Sequence, residues 1–113
     1  MEPPVNAKAA LLQELIRREG YALDLIKRVS ERTKGRVKLH QGNVYPALRN
    51  LEEDGLLKSW EADPTPERGG RHRRYYKITD AGKMAALQQT RAVAGLFGLV
   101  LEFLGLRGLG HER

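Results

Sequence analysis

Apolar residues recur along this chain with two periods. In the first half, and again at the end, they return every three or four positions; between these regions lies strict alternation. The first spacing lines one face of a helix and the second one face of a strand. Asn6 is a candidate N-cap for a first helix in which Ala10, Leu11, Leu15 and Ile16 share a face and which Gly20 ends. A second helix is predicted from about Tyr21 to Thr33, with Ala22, Leu25, Ile26 and Val29 as its buried stripe and Gly35 as its stop. Arg36-Val37-Lys38-Leu39 alternates polar and apolar, the pattern of one short strand. The stretch Leu39 to Leu57 predicts a third helix, with Val44, Leu48 and Leu51 at i, i+4 and i+7 and Gly55 as its C′ residue. With Asn43 as N-cap, Pro46 falls at N3, where its missing N–H had no intrahelical acceptor to lose.

After Gly55 the period shortens. Leu56 to Glu61 and Arg73 to Ile78 alternate, with Tyr76 and Ile78 pointing inward, and ADPTPERGGRH between them cannot form regular structure. Together they predict a β-hairpin with an extended tip. Thr79 then caps a last helix running to about Leu104, with Asp80 placed against its dipole. Val93, Leu96, Phe97, Val100, Leu101 and Leu104 follow i, i+3, i+4, i+7, i+8 and i+11, one unbroken stripe. The other helices have their own faces to bury, so this stripe is expected to pack on a second copy of itself. The alternative is a helix folded back on its own domain. Three helices, a hairpin and a final helix make the chain mainly α with a small β-hairpin. That is the order of a winged helix-turn-helix over residues 1–78, with an additional C-terminal dimerisation helix and tail over residues 79–113.

Composition narrows the partner. The chain has 113 residues, one domain's worth, and 41% hydrophobic residues, which permits only a modest core. Net charge is +6, which favours a polyanion such as nucleic acid. There are no cysteines, so disulfides and thiolate metal sites are excluded and the cytoplasm is the expected compartment. The start, MEPPVNAKAA, lacks the signal-peptide pattern, and no run reaches transmembrane length. Membrane attachment by the last helix is not expected, because its stripe lacks basic flanks.

Candidate chemistry concentrates on the third helix and the wing. The third helix alone fits either an ordinary amphipathic core helix or a recognition helix. Gln41 and Asn43 offer amide donor–acceptor pairs to base edges, Arg49 can meet phosphate or guanine, and Tyr45 can donate to phosphate. Lys38 and His40 lead in as phosphate contacts. Between Arg68 and Lys77 the chain carries Arg68, Arg71, Arg73, Arg74 and Lys77 and no acid. Arginines on a glycine-rich loop can follow a phosphate backbone or enter a minor groove; a solvated loop is the plainer account. The histidines, His40, His72 and His111, lie far apart, without metal-ligand spacing. No phosphate loop or nucleophile motif is present, so neither an enzyme nor a cofactor is expected.

GNVYPALRNLEEDGLL resembles the signature of PadR-type transcriptional regulators through Gly42, Tyr45, Pro46, Ala47, Leu48, Leu51, Glu52, Gly55 and Leu56. Gly20-Tyr21 and RRYYKITDAG, with Tyr75, Tyr76, Thr79, Ala81 and Gly82, extend the resemblance from about Leu11 to Leu87. It implies a homodimeric repressor that binds palindromic double-stranded operator DNA. The dimer would join through the helix after the wing, often with the first helix, which adds Leu11 and Leu15 to the expected interface. Some members of the family release DNA when a small aromatic or drug-like ligand binds at the dimer interface. The last helix here has Phe97 and Phe103 but no tryptophan to stack one, which counts against an effector. Asn43 replaces the small hydroxyl residue of many relatives. The competing class is a winged-helix protein-interaction module without specific DNA binding. It would use the acidic end of the third helix and the apolar last helix, and it predicts no salt-dependent duplex binding.

Overall fold

In the computed structural model the order is α1 (Ala7–Arg17), β1 (Gly20–Tyr21), α2 (Ala22–Arg32), α3 (Gln41–Glu53), β2 (Leu57–Ala62), β3 (Arg73–Ile78) and α4 (Asp80–Phe103). The structure describes residues 6–62, 73–103 and 105. The expected helices and both wing strands are present, and the three strands form one antiparallel sheet in the order β1-β3-β2.

The core is where the apolar faces of the first three helices meet the inner face of the sheet. Leu11, Leu12 and Leu15 of α1, Leu25 and Val29 of α2, and Val44, Leu48 and Leu51 of α3 are buried together with Leu57, Tyr76 and Ile78. Each fully buried leucine contributes about 1.5–3 kcal/mol by leaving water. Two details of the expected stripes differ: Leu12 is buried and Ile16 is exposed.

Local chemistry sets the ends. The Asn6 carboxamide accepts from the Ala9 N–H at 2.8 Å and caps α1. At the end of α3 the Leu56 N–H bonds the Leu51 carbonyl and the Gly55 N–H bonds that of Glu52, both at 2.9 Å. Gly55 is left-handed, with φ of 80°, completing the expected glycine stop. The same 6→1 and 5→2 pairs end α2, but Lys34, with φ of 54°, takes the left-handed position ahead of Gly35. A Cβ costs energy there, so Lys34→Gly is expected to raise stability by about 0.5–1 kcal/mol in a urea melt.

The third strand of the sheet is not the expected one. Arg36 to Leu39 forms no strand, because the Arg36 N–H turns back to the Thr33 carbonyl and the Val37 N–H to the Thr33 hydroxyl. Gly20 and Tyr21 instead pair with Tyr76 and Tyr75 on the free edge of β3.

Thr79 joins α3, the wing and α4. Its hydroxyl donates to the Gly55 carbonyl at 2.7 Å and accepts from the Gly82 N–H at 3.0 Å, so it is the expected N-cap. The first turns of α4 then lie on α1. The Gln13 side-chain amide donates to the Ala86 carbonyl at 2.9 Å and to the Gln89 side chain at 3.2 Å. Past Thr90 the residues Arg91, Ala92, Ala94 and Gly95 are all exposed. A 24-residue helix is about 36 Å long, more than its contacts with α1 use.

The expected interface divides accordingly. Leu11 and Leu15 are 0% and 1% exposed inside their own chain's core, so, contrary to expectation, they have no surface left for a partner. Val93, Leu96, Phe97, Val100 and Leu101 are on α4, with side chains outside what the structure describes, and Leu104 lies outside the described residues.

Candidate nucleic-acid interface

α3 begins three residues earlier than an Asn43 cap would place it. His40 is the N-cap, and Asn43, at N3, accepts from the His40 N–H through Oδ1 at 3.0 Å. Pro46 therefore sits inside the helix and deprives the Gly42 carbonyl of its i+4 donor. Both Gly42 and Pro46 are exposed, so water can reach the carbonyl.

This register puts two stripes on opposite sides of α3. Val44, Ala47, Leu48 and Leu51 face the core, while Gln41, Tyr45 and Arg49, each four residues from the next, face solvent. Tyr45 is 44% exposed despite its aromatic ring, a cost that burial against the domain would have removed. Asn43 is half-buried and its oxygen is occupied in the cap, leaving its N–H₂ group for anything external. Lys38 and His40 are exposed just ahead of the helix, whose N-terminal end favours an anion.

The wing's arginines split by strand alternation. Arg74 is on the sheet's inner-face register beyond Tyr76; it donates to the Ser59 hydroxyl at 2.9 Å and to Glu61 Oε2 at 3.2 Å. Ser59 in turn donates to Glu52 Oε2 at 2.8 Å, which ties the wing to the last turn of α3. Arg73 faces the other way, its guanidinium carbon 3.9 Å from the centroid of the Tyr21 ring. Arg68 and Arg71 lie outside the described residues.

Tyr76 connects the two parts of this surface and was legible from sequence only as a core residue. Burial pushes its hydroxyl pKa up; Arg74 opposes that, Glu52 and Tyr45 add to it, and Arg49 opposes it. The hydroxyl is therefore a neutral hydrogen-bonding group within electrostatic reach of the α3 stripe and of Arg74. Glu52 and Ser59 were also missed as wing anchors. Their only signal is an acid near the end of α3 followed by a hydroxyl in the next strand, which many unrelated sequences share.

Among the described residues no group of three His, Asp or Glu side chains could hold a metal ion, and no helix is long and apolar enough to cross a membrane.

Comparisons with known proteins agree with this layout. The sequence model of the PadR-like family of transcriptional regulators matches residues 11–88. A transcriptional regulator of Mycobacterium tuberculosis is 42% identical over 60 residues, which are 53% of this chain and 52% of that protein, so the chain matches about half that relative's length. The solved PadR-like transcription factor of Bacteroides fragilis superposes with a TM-score of 0.72 at 26% identity, covering 85% of this chain and 87% of the other. PadR of Bacillus subtilis, solved in complex with operator DNA, superposes with a TM-score of 0.68 at 20% identity, covering 78% of this chain and 48% of the other.

Proposed function

Because the chain belongs to the PadR-like family of transcriptional regulators, we propose that it binds double-stranded operator DNA as a homodimer and represses transcription. The observation that carries this is the α3 stripe of Gln41, Tyr45 and Arg49, held outward by the buried stripe behind it. A helix so presented can lie in a major groove, with Gln41 meeting base edges and Arg49 and Tyr45 meeting guanine or phosphate. Lys38, His40 and the wing arginines would hold the backbone and fix the register without reading sequence. Arg74 starts with Glu61 and Ser59 as partners and would exchange them for a phosphate. The operator complex of the Bacillus subtilis relative supports the same use of the fold.

Dimerisation would come from α4 beyond Thr90, through Val93, Leu96, Phe97, Val100, Leu101 and Leu104, without Leu11 and Leu15. Two copies of α3 would then meet half-sites about 34–36 Å apart or a multiple of that distance. Light scattering of Leu101→Glu should give the mass of a single chain, 12.7 kDa, where the parent gives twice that. A parent already at the single-chain mass would end the dimer account.

The experiment for DNA is a titration of duplex fragments from upstream of the gene at several salt concentrations. Affinity should fall steeply with salt, and Lys38→Ala should flatten the log–log slope by about 0.9 by removing one phosphate contact. Salt-independent binding, or none, would sink the reading.

A further inference from the structure

We propose that the outer face of the wing sheet is a second nucleic-acid site that takes single-stranded DNA or RNA, beyond the duplex reading by α3. Strand register puts Trp60, Tyr75 and Tyr21 side by side across β2, β3 and β1, on the face turned away from the core. Trp60 stacks on Tyr75 with centroids 5.9 Å apart and planes at 17°, and Tyr75 meets Tyr21 edge to face at 5.4 Å. β2 is an edge strand, so one face of Trp60 rests on Tyr75 and, among the described residues, no strand lies beyond the other. Trp60 is 38% exposed.

Among the described residues of the paired strands, the charges on this face share one sign. Lys58 and Lys77 are directly opposite each other on the same face and both are exposed. Like charges in that position oppose strand pairing. No described salt bridge relieves them, since those of the wing pair Arg74 with Glu61 on the other face. Arg73 sits at the Tyr21 end, opposite Ala62.

An aromatic ladder alone would be explained by hairpin stability. The facing lysines cost stability, and an anion between them removes that cost. Bases stacked on aromatics with phosphates on adjacent cations is how proteins hold single strands without reading sequence. A duplex has its bases stacked inside and cannot use the open Trp60 face. A strand whose unpaired base continues the Tyr75–Trp60 stack would bring its phosphates toward Lys58 and Lys77.

The test uses the full chain and a fluorescein-labelled, mixed-sequence single strand of about ten nucleotides. Trp60 is the only tryptophan, so its emission reports directly on the site. Anisotropy should rise and Trp60 emission fall together, with a log–log salt slope of roughly −2 for three phosphate contacts. Lys58→Gln with Lys77→Gln, both exposed and so compatible with folding, should weaken the strand about tenfold or more. Gln41→Ala should leave single-strand binding unchanged while altering duplex preference, which separates this site from the one on α3. Unchanged Trp60 emission at saturating strand, full affinity in the lysine variant, or loss of single-strand binding in Gln41→Ala would overturn the proposal.

Discussion

Arg28→Ala is expected to lower the unfolding free energy by roughly 3–5 kcal/mol, because it opens a buried ion cluster rather than a surface pair. Arg28 is 7% exposed and Glu14 only 3%. The guanidinium donates to Glu14 Oε2 at 3.1 Å, to Asp24 at 2.9 Å, and to the carbonyls of Glu14, Glu19 and Arg18 at 3.0–3.1 Å. Those carbonyls lie at and just beyond the end of α1, where a helix leaves acceptors unpaired and favours a positive charge. Gly20 leaves the space: a Cβ there would lie 2.5 Å from Arg28 Nη1. One arginine thus closes the corner between α1, β1 and α2 that supports α3. The measurement is a urea titration, with the midpoint falling by roughly 2 M for a domain of this size.

The same cluster predicts an acid limb. The Glu14 carboxyl is held below the ordinary 4.5, first by its hydrogen bond to Arg32, against the opposing effect of burial, and then by Arg28. A lowered folded value means the stabilisation is complete above the unfolded value and is lost as pH falls through the folded one. Stability should therefore decline below about pH 4.5, and Glu14→Gln should flatten that limb while lowering stability at neutral pH.

Gly82→Ala is the second large effect, about 3 kcal/mol, at the upper end for inserting a methyl group into packed structure. An added Cβ would run into the Leu56 carbonyl oxygen and lie 2.5 Å from Ile78 Cγ1. The carbonyl cannot move aside, since it already accepts from the Thr79 N–H at 3.0 Å. Relief would require α4 to tilt away from the wing, and the proposed dimer arm would swing with it. Calorimetry should show a lowered melting temperature, and light scattering of the folded fraction a weakened dimer. A melting temperature equal to the parent's would contradict the packing at this joint.

The elements that depend on local chemistry were legible in the sequence. Thr79 with Asp80 marked the start of α4, Gly55 marked the end of α3, and alternation set both wing strands in the right orientation. Elsewhere a distant partner decides the outcome. Gly20-Tyr21 is a strand only because β3 has a free edge. Arg36 to Leu39 has strand alternation but spends its donors on Thr33. His40 is a weak N-cap by type, so the preference for Asn moved the predicted start of α3 to Asn43. Leu11 and Leu15 were assigned to a partner by resemblance, yet the chain's own core takes them. Glu14 and Arg28 sit at helical spacing among apolar residues, a trace of the buried cluster that is clear only once α1 and α2 are seen together.

For the candidate site, spacing alone showed which residues share the outward stripe of α3. Gln41, Tyr45 and Arg49 share the exposed face of α3, while Asn43 is largely occupied in the cap. The partners of Arg73 and Arg74 were invisible in the sequence, because Tyr21 and Ser59 reach them only through the sheet register.

If α3 reads base sequence, selection from a random duplex library measures it directly. The parent chain should enrich an inverted repeat, and Gln41→Ala should relax preference at one base position in each half-site, by about 1–3 kcal/mol, with the flanking positions unchanged. No enrichment over input, or the same repeat selected when Gln41, Tyr45 and Arg49 are all alanine, would contradict it.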